Sequence, residues 1–287
     1  MELTRRGTEL PQLLIVPTHS IVPHERYDMQ RSTPLMMRLR EEGVLKNPPL
    51  VARIPDEERF VLLDGTNRAM AIAALEYPHM LVQVVNYEEP GLILDTWFHL
   101  VCGMPSDQFL ARMHEINGLR IARAELLHAR AELARREAGA YVIVSGVELA
   151  GAHDVYILYT GAGLHRRADI LNDLVNVYLV DGQIHRANTD HFNELTKYYD
   201  DITALVVFPR YEPSEIVELA RVGAYLPPGI TRHVIPGRAL RVNFPISLLA
   251  ENRSLEEKNE WLQEWLRDRL AGKSIRYYQE STYLFDE

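Results

Sequence analysis

The stretch from Arg59 to Leu75 limits the fold of this chain more than any other. Arg59-Phe60-Val61-Leu62-Leu63 is a short apolar run with the length and content of a strand. It passes directly into Asp64-Gly65-Thr66-Asn67-Arg68, and from there into Ala69-Met70-Ala71-Ile72-Ala73-Ala74-Leu75, a helix by propensity. A strand that becomes a helix within a few residues belongs to a mixed architecture, with sheet and helix in one core. The junction also points the free backbone N–H groups of the first helical turn at one spot.

The flanking pattern agrees. Leu13-Leu14-Ile15-Val16, closed by Pro17, and Leu50-Val51-Ala52-Arg53-Ile54 are further strand candidates, the second followed by the turn-like Pro55-Asp56-Glu57-Glu58. Met80 to Val85 is another. Residues 34–42 read as a helix with Leu35, Met36 and Leu39 on one face and Gly43 as its stop. Ser106 is a candidate N-cap for a long helix through Arg136, interrupted at Gly118 and ended by Gly139. The pattern then restarts as strands at Tyr141–Ser145, Val155–Thr160 and Thr203–Phe208, with helical stretches at Leu164–Tyr178 and Ser214–Val222. This predicts a division into residues 1–138 and 139–287. Ser254-Leu255-Glu256-Glu257 is a capping box. It opens a helix whose Trp261 and Trp265 read as core or subunit contact, before Gly272 and a strand-like Ile275–Phe285. The expected class is α+β.

Composition removes several functions. The 287 residues carry 31 basic and 40 acidic side chains, a net charge of −9, and both halves are acidic. Tracking a DNA backbone needs a basic surface, so a nucleic-acid partner is not expected. The single cysteine, Cys102, excludes an intrachain disulfide framework and a cysteine-rich zinc site, and its apolar flanks suggest a core thiol. No apolar run approaches the ~20 residues of a membrane span. Met1-Glu2-Leu3-Thr4-Arg5-Arg6 lacks the apolar core of a signal peptide. The expected location is the cytoplasm.

Three places carry residues suited to chemistry. At the Asp64 junction, backbone amides and the helix dipole form an anion site. Gly65 admits close approach, Arg68 can grip a phosphate with two parallel bonds, and Asp64 could hold Mg²⁺ against phosphate oxygens. On the residues alone, the plainer reading is a capped helix with Arg68 in a surface ion pair. Ile21-Val22-Pro23-His24-Glu25 is a proline-stiffened extended loop that could present Glu25 as a proton acceptor, or simply carry a solvated charge. Gly229-Ile230-Thr231-Arg232-His233 puts a hydroxyl, a guanidinium and an imidazole together, suited to a small carboxylate or phosphate; the alternative is a strand entrance. Pro236-Gly237-Arg238 reads as a turn.

The order of Pro-His-Glu loop, helix, two strands, Asp-Gly-x-x-Arg and alanine-rich helix resembles the ParB/sulfiredoxin fold. Within it, the chain resembles the free-serine kinases of the SerK and SbnI type. Their Asp-Gly-His-His-Arg hallmark stands here as Asp64-Gly65-Thr66-Asn67-Arg68, and their early-loop Glu as Glu25. Their late Thr-Arg-x-Ile-Pro-like segment stands as Thr231-Arg232-His233-Val234-Ile235-Pro236. The resemblance extends through Arg238-Ala239-Leu240-Arg241-Val242-Asn243 and the final Tyr283-Leu284-Phe285-Asp286-Glu287. It implies a ParB/sulfiredoxin-like N-terminal domain and a second mixed α/β domain contributing to an amino-acid site.

The implied activity is Mg²⁺-dependent phosphoryl transfer from ADP or ATP to L-serine, giving O-phospho-L-serine. Glu25 would be the base, and Asp64 would sit by the metal and the transferred group. Gly65, Thr66, Asn67 and Arg68 would bind the nucleotide. Trp97, Thr231, Arg232 and His233 would line the serine pocket. Thr66 and Asn67 replace two histidines of the hallmark; both can bond phosphate oxygens, but neither can carry a positive charge. The alternatives are a ParB-like nucleotide-dependent DNA-binding regulator and a non-catalytic nucleotide or amino-acid sensor. The oligomeric state is left open.

Overall fold

A computed structural model of the chain describes residues 4–5, 8–27, 29–89, 91–146 and 153–278. Two compact units emerge. The first comprises residues 1–21, 28–91 and 235–287, and the second residues 22–27 and 92–234. Position 138/139, where the sequence suggests a boundary, lies inside the second unit, between the helix Leu126–Ala134 and the strand Ala140–Ser145.

In the first unit, His79–Val85 lies between Gln12–Pro17, to which it is antiparallel, and Leu50–Arg53, to which it is parallel. Leu50–Arg53 then pairs antiparallel with Phe60–Asp64. The inner residues Ile15, Val51, Leu62, Leu81 and Val82 are all essentially buried. They share one apolar cluster with Ile72 of the helix Thr66–Ala73 and with Leu249, Leu262 and Leu266 near the end of the chain. A two-stranded ribbon joins Val44–Leu45 to Phe244–Pro245, and Phe244 meets the rings of Trp261 and Trp265 edge-on. The tryptophan pair of the sequence is therefore core. The capping box at Ser254 forms as expected: Glu257 N–H donates to the Ser254 hydroxyl, and Ser254 N–H to the Glu257 carboxylate. The helix it starts, Leu255–Ala271, covers the edge of Gln12–Pro17. There Asn259 accepts from Ile15 N–H and donates to Ile15 C=O, both at 2.9 Å, replacing a missing strand partner.

The second unit is built on a wholly antiparallel six-stranded sheet. Its spatial order is Arg120–Arg123, His153–Tyr159, Ala140–Ser145, Ile202–Val207, Phe98–Cys102 and Gln183–Ala187. Alternation along the strands divides the apolar residues between two faces. Tyr141, Ile143, Leu205 and Val207 cluster with Ala129 of Leu126–Ala134. His99, on the opposite face, meets Tyr178 of the helix Leu164–Leu179. Cys102 is buried, as expected of a core thiol.

Three expectations are corrected. The long helix from Ser106 to Arg136 is two helices, Ser106–His114 and Leu126–Ala134, separated by the strand Arg120–Arg123. The first ends at His114, and Gly118, with φ +81°, makes a left-handed turn before the strand. The freed segment pairs with His153–Tyr159. The N-cap is Pro105 rather than Ser106, whose hydroxyl is directed to the Thr203 carbonyl. Residues 275–278 form no strand, and the rest of the strand-like Ile275–Phe285 lies outside the described residues. Among the described residues, no helix is long and apolar enough to cross a membrane.

Candidate active site

Asp64 ends its strand, and Gly65 makes the turn into Thr66–Ala73 with φ +87°. This backbone conformation is one that residues with a Cβ rarely adopt. The space is closed as well: a Cβ on Gly65 would come within 2.9 Å of the Arg68 guanidinium and 3.3 Å of Pro49 Cα. Gly65 C=O accepts the Ala69 N–H at 2.9 Å, which leaves the amides of Thr66, Asn67 and Arg68 in the first helical turn. These three residues are half-buried.

Arg68 approaches Asp64 Oδ2 at 3.4 Å. The same oxygen accepts a short bond from Arg238, 174 residues away in sequence. Gln83 aims Arg238 at the junction. Its buried amide donates to Gly237 C=O at 3.1 Å and accepts from Ala239 N–H at 2.9 Å, clamping the backbone on both sides of Arg238. Burial works against the charge on Asp64, but the Arg238 charge and hydrogen bond, then Arg68 and the Gly65 N–H, outweigh it. The carboxyl is held below the usual carboxylate range. Arg238 was legible only as part of a turn, because nothing in the sequence says that residues 64 and 238 meet.

Asp64 can serve as a magnesium ligand: the Arg68 and Arg238 bonds described above both fall on Oδ2. Mg²⁺ takes one or two carboxylates and completes its shell with phosphate oxygens and water, so a single protein carboxylate is enough. Among the described residues no cluster of three or more His, Cys, Asp or Glu could hold a metal by itself. A lone carboxylate suits a metal that brings phosphate oxygens and water as its other ligands.

In the second unit, Glu25 is fixed through both its backbone and its side chain. Leu226 N–H donates to His24 C=O at 2.8 Å and Arg26 N–H to Leu226 C=O at 2.9 Å, so the extended Pro-His-Glu loop runs parallel to Leu226. The buried carboxylate accepts Gly229 N–H on Oε2 at 2.8 Å. On Oε1 it accepts Thr231 N–H at 2.7 Å and the Thr231 hydroxyl at 2.5 Å. A carboxylate has about four acceptor positions. The described residues fill three, and the fourth, on Oε2, takes no donor from them.

The Thr231 hydroxyl gives its proton to Glu25, so it accepts from His24 Nε2 at 2.9 Å, which assigns the imidazole proton to Nε2. The His24 ring meets that of His233 edge-on at 5.7 Å. Thr231–Val234 is a strand paired with Ile93–Thr96. Just past it, Trp97 N–H donates to Ile230 C=O, and the Arg232 guanidinium lies 4.5 Å over the Trp97 ring.

The expected site residues therefore gather into two groups. Asp64, Gly65, Thr66, Asn67 and Arg68 lie together on the first unit with Arg238. Glu25, Thr231 and His233 lie together on the second with His24, while Trp97 and Arg232 form their own pair alongside. His24 and Gly229 enter the site through hydrogen bonds that the sequence did not disclose.

No family model matches the chain. It is 24% identical over 238 residues to an ATP-dependent L-serine kinase of Staphylothermus marinus, covering 82% of this chain and 90% of that protein. It is 22% identical over 278 residues to the ATP-dependent L-serine kinase SbnI of Staphylococcus aureus, covering 96% and 97%. Its fold matches that of a variant free serine kinase in complex with AMP, with a TM-score of 0.70 at 16% identity, over 84% of this chain and 95% of the other. The α+β expectation and the resemblance drawn from the Glu25 and Asp64–Arg68 motifs are borne out. Along most of its sequence and in its fold, this chain is similar to the free-serine kinases of the SerK and SbnI type.

Proposed function

We propose that this protein is a kinase of free L-serine that transfers the terminal phosphoryl group of ATP to the serine hydroxyl and releases O-phospho-L-serine and ADP. The observation that carries the reading is the built-in carboxylate of Glu25, buried, held by three donors and keeping one acceptor position on Oε2. Similarity over most of the chain to proteins named ATP-dependent L-serine kinase supports both the acceptor and the donor.

The serine hydroxyl would donate to Glu25 Oε2 and pass its proton there as the new O–P bond forms and the bond to the ADP oxygen breaks. Phosphoryl transfer asks little basicity of such a group, because its transition state is loose and the nucleophile mainly needs orientation. A carboxylate that already accepts three hydrogen bonds is well fixed, which suits that requirement. The amides of the Gly65 turn, Arg68 and Arg238 supply donors for phosphate oxygens, and Thr66 and Asn67 add uncharged ones. Mg²⁺ at Asp64 would neutralise phosphate charge.

The direct test is incubation of the protein with L-serine, Mg²⁺ and either ATP or ADP, with phosphoserine followed by mass. Turnover with ATP is expected. No turnover with either donor, in protein shown to be folded, overturns the reading.

A further inference from the structure

Arg186 has no role in the scheme above. It lies on Gln183–Ala187, the edge strand of the second unit's sheet, directly across from His99. Its side chain is exposed, and among the described residues no carboxylate pairs with it. An unpaired guanidinium is unremarkable at most places on a surface, but this one is packed against Gly229. A Cβ on Gly229 would come within 2.6 Å of one guanidinium nitrogen and 3.3 Å of the central carbon. Gly229 has φ +73°, and its N–H is the donor to Glu25 Oε2. The free cation and the open acceptor position of Glu25 thus flank the same residue.

We propose that Arg186 binds the α-carboxylate of the amino-acid substrate, so that its guanidinium and Glu25 hold the two ends of one small molecule. This rests on the serine-kinase reading. The dimensions agree. Traced through Gly229 with ordinary bond lengths, the guanidinium lies at most about 8 Å from Glu25 Oε2. A serine hydroxyl and carboxylate oxygen, with a hydrogen bond of about 2.8 Å at each end, reach up to about 9 Å and less when the bonds are bent, so the molecule fits within that distance.

The chemistry agrees too. A planar fork of donors is the best protein partner for a carboxylate, and an amino-acid kinase must separate its substrate from other small alcohols by that group. Behind the turn, the buried His99 lies beside the backbone of Pro228 and Gly229, and its Nδ1 lies 3.0 Å from the Tyr178 hydroxyl. Burial, and then the charge of Arg186 itself, lower His99 to about 3, so it stays neutral and adds no competing cation.

The test is steady-state kinetics of the full chain with ATP and Mg²⁺, comparing L-serine with L-serinamide, which keeps the hydroxyl and amine but lacks the carboxylate. Arg186→Ala, a change at an exposed position, is expected to raise the KM for L-serine tenfold or more. It should leave the KM for ATP and the rates with L-serinamide within about twofold, and Arg186→Lys should recover part of the loss. An unchanged KM for L-serine, or equal losses with serine and serinamide, overturns the assignment. A rise confined to the KM for ATP overturns it as well, and moves the residue to phosphate binding. Wild-type protein that neither turns over L-serine nor binds it by calorimetry removes the kinase reading and this inference together. Normal wild-type turnover with an unaffected Arg186→Ala removes this inference alone.

Discussion

Thr231 gives Glu25 two hydrogen bonds at once, its backbone N–H at 2.7 Å and its hydroxyl at 2.5 Å, across 206 residues of sequence. With Gly229 N–H on the other oxygen, the carboxylate can turn only by breaking bonds in a buried setting, where each lost partner leaves an unmet group. Orientation is therefore set by the fold before any substrate arrives.

Glu25→Gln should keep the fold and lose phosphoserine formation by about 10²–10⁴-fold, the usual contribution of a positioned acid or base. The amide cannot accept the hydroxyl proton, and its NH₂ must face a backbone donor. Single-turnover rates with saturating ATP and L-serine measure this. A variant retaining a tenth or more of wild-type activity would show that Glu25 is not the proton acceptor.

Thr231→Val removes the hydroxyl while leaving the N–H bond to Glu25. The lost bond is made to a charged group, so urea unfolding should register a decrease of about 1.5–3 kcal/mol. The rate should fall with it, while Thr231→Ser, which restores a hydroxyl, should return most of both. Unchanged stability and rate in Thr231→Val would mean that the hydroxyl does not matter at this position.

Gly65→Ala forces a Cβ into the left-handed region, which costs about 1–2 kcal/mol, and against the Arg68 guanidinium and Pro49. The expected result is a lower urea midpoint together with a higher KM for ATP and an unchanged KM for L-serine. Substitution without effect on ATP would remove the turn from the nucleotide site.

The Arg238–Asp64 pair predicts a pH dependence. The Asp64 carboxyl is held below its ordinary value of 3.8 in the folded protein. Its contribution to stability is fully present above that unfolded value and disappears as pH falls through the lower, folded one. Wild type and Asp64→Asn should therefore differ in urea midpoint at pH 6 and converge as the pH falls below about 4. The carboxylate is half-exposed, so the difference should be modest and should shrink with added salt. A gap that persists unchanged into acid would assign it to packing.

Phe244 is fully buried against Trp261 and Trp265. Phe244→Ala should cost about 3–5 kcal/mol, as aromatic truncations in cores do. Unfolding followed by tryptophan fluorescence reads the site directly, since the quenching environment of the pair changes with it.

Much of the fold was legible because its signals are local. The strand and helix around Asp64-Gly65, the capping box at Ser254 and the apolar runs of both sheets follow from periodicity and turn chemistry within a dozen residues. The helix expected through Gly118 failed for the complementary reason. Ala, Leu, Arg and Glu favour a helix on either side of it, yet pairing with His153–Tyr159 gives residues 120–123 a sheet partner that propensity cannot anticipate. The Gln183–Ala187 strand passed unread because an edge strand with exposed polar positions carries little apolar signal.

By itself, the sequence determined the chemical vocabulary: an Asp-Gly turn into a helix, a proline-stiffened Glu, a Thr-Arg-His segment and an acidic net charge. Those depend on residue type and short spacing. Only the tertiary structure decided which of these groups meet. It brought Arg238 to Asp64, Thr231 and Gly229 to Glu25, and Arg186 to the same glycine, across separations of 174, 206, 204 and 43 residues. Hydrogen bonds and charges act over a few ångströms of space whatever the length of chain between them, and that distance is settled by packing rather than by sequence order.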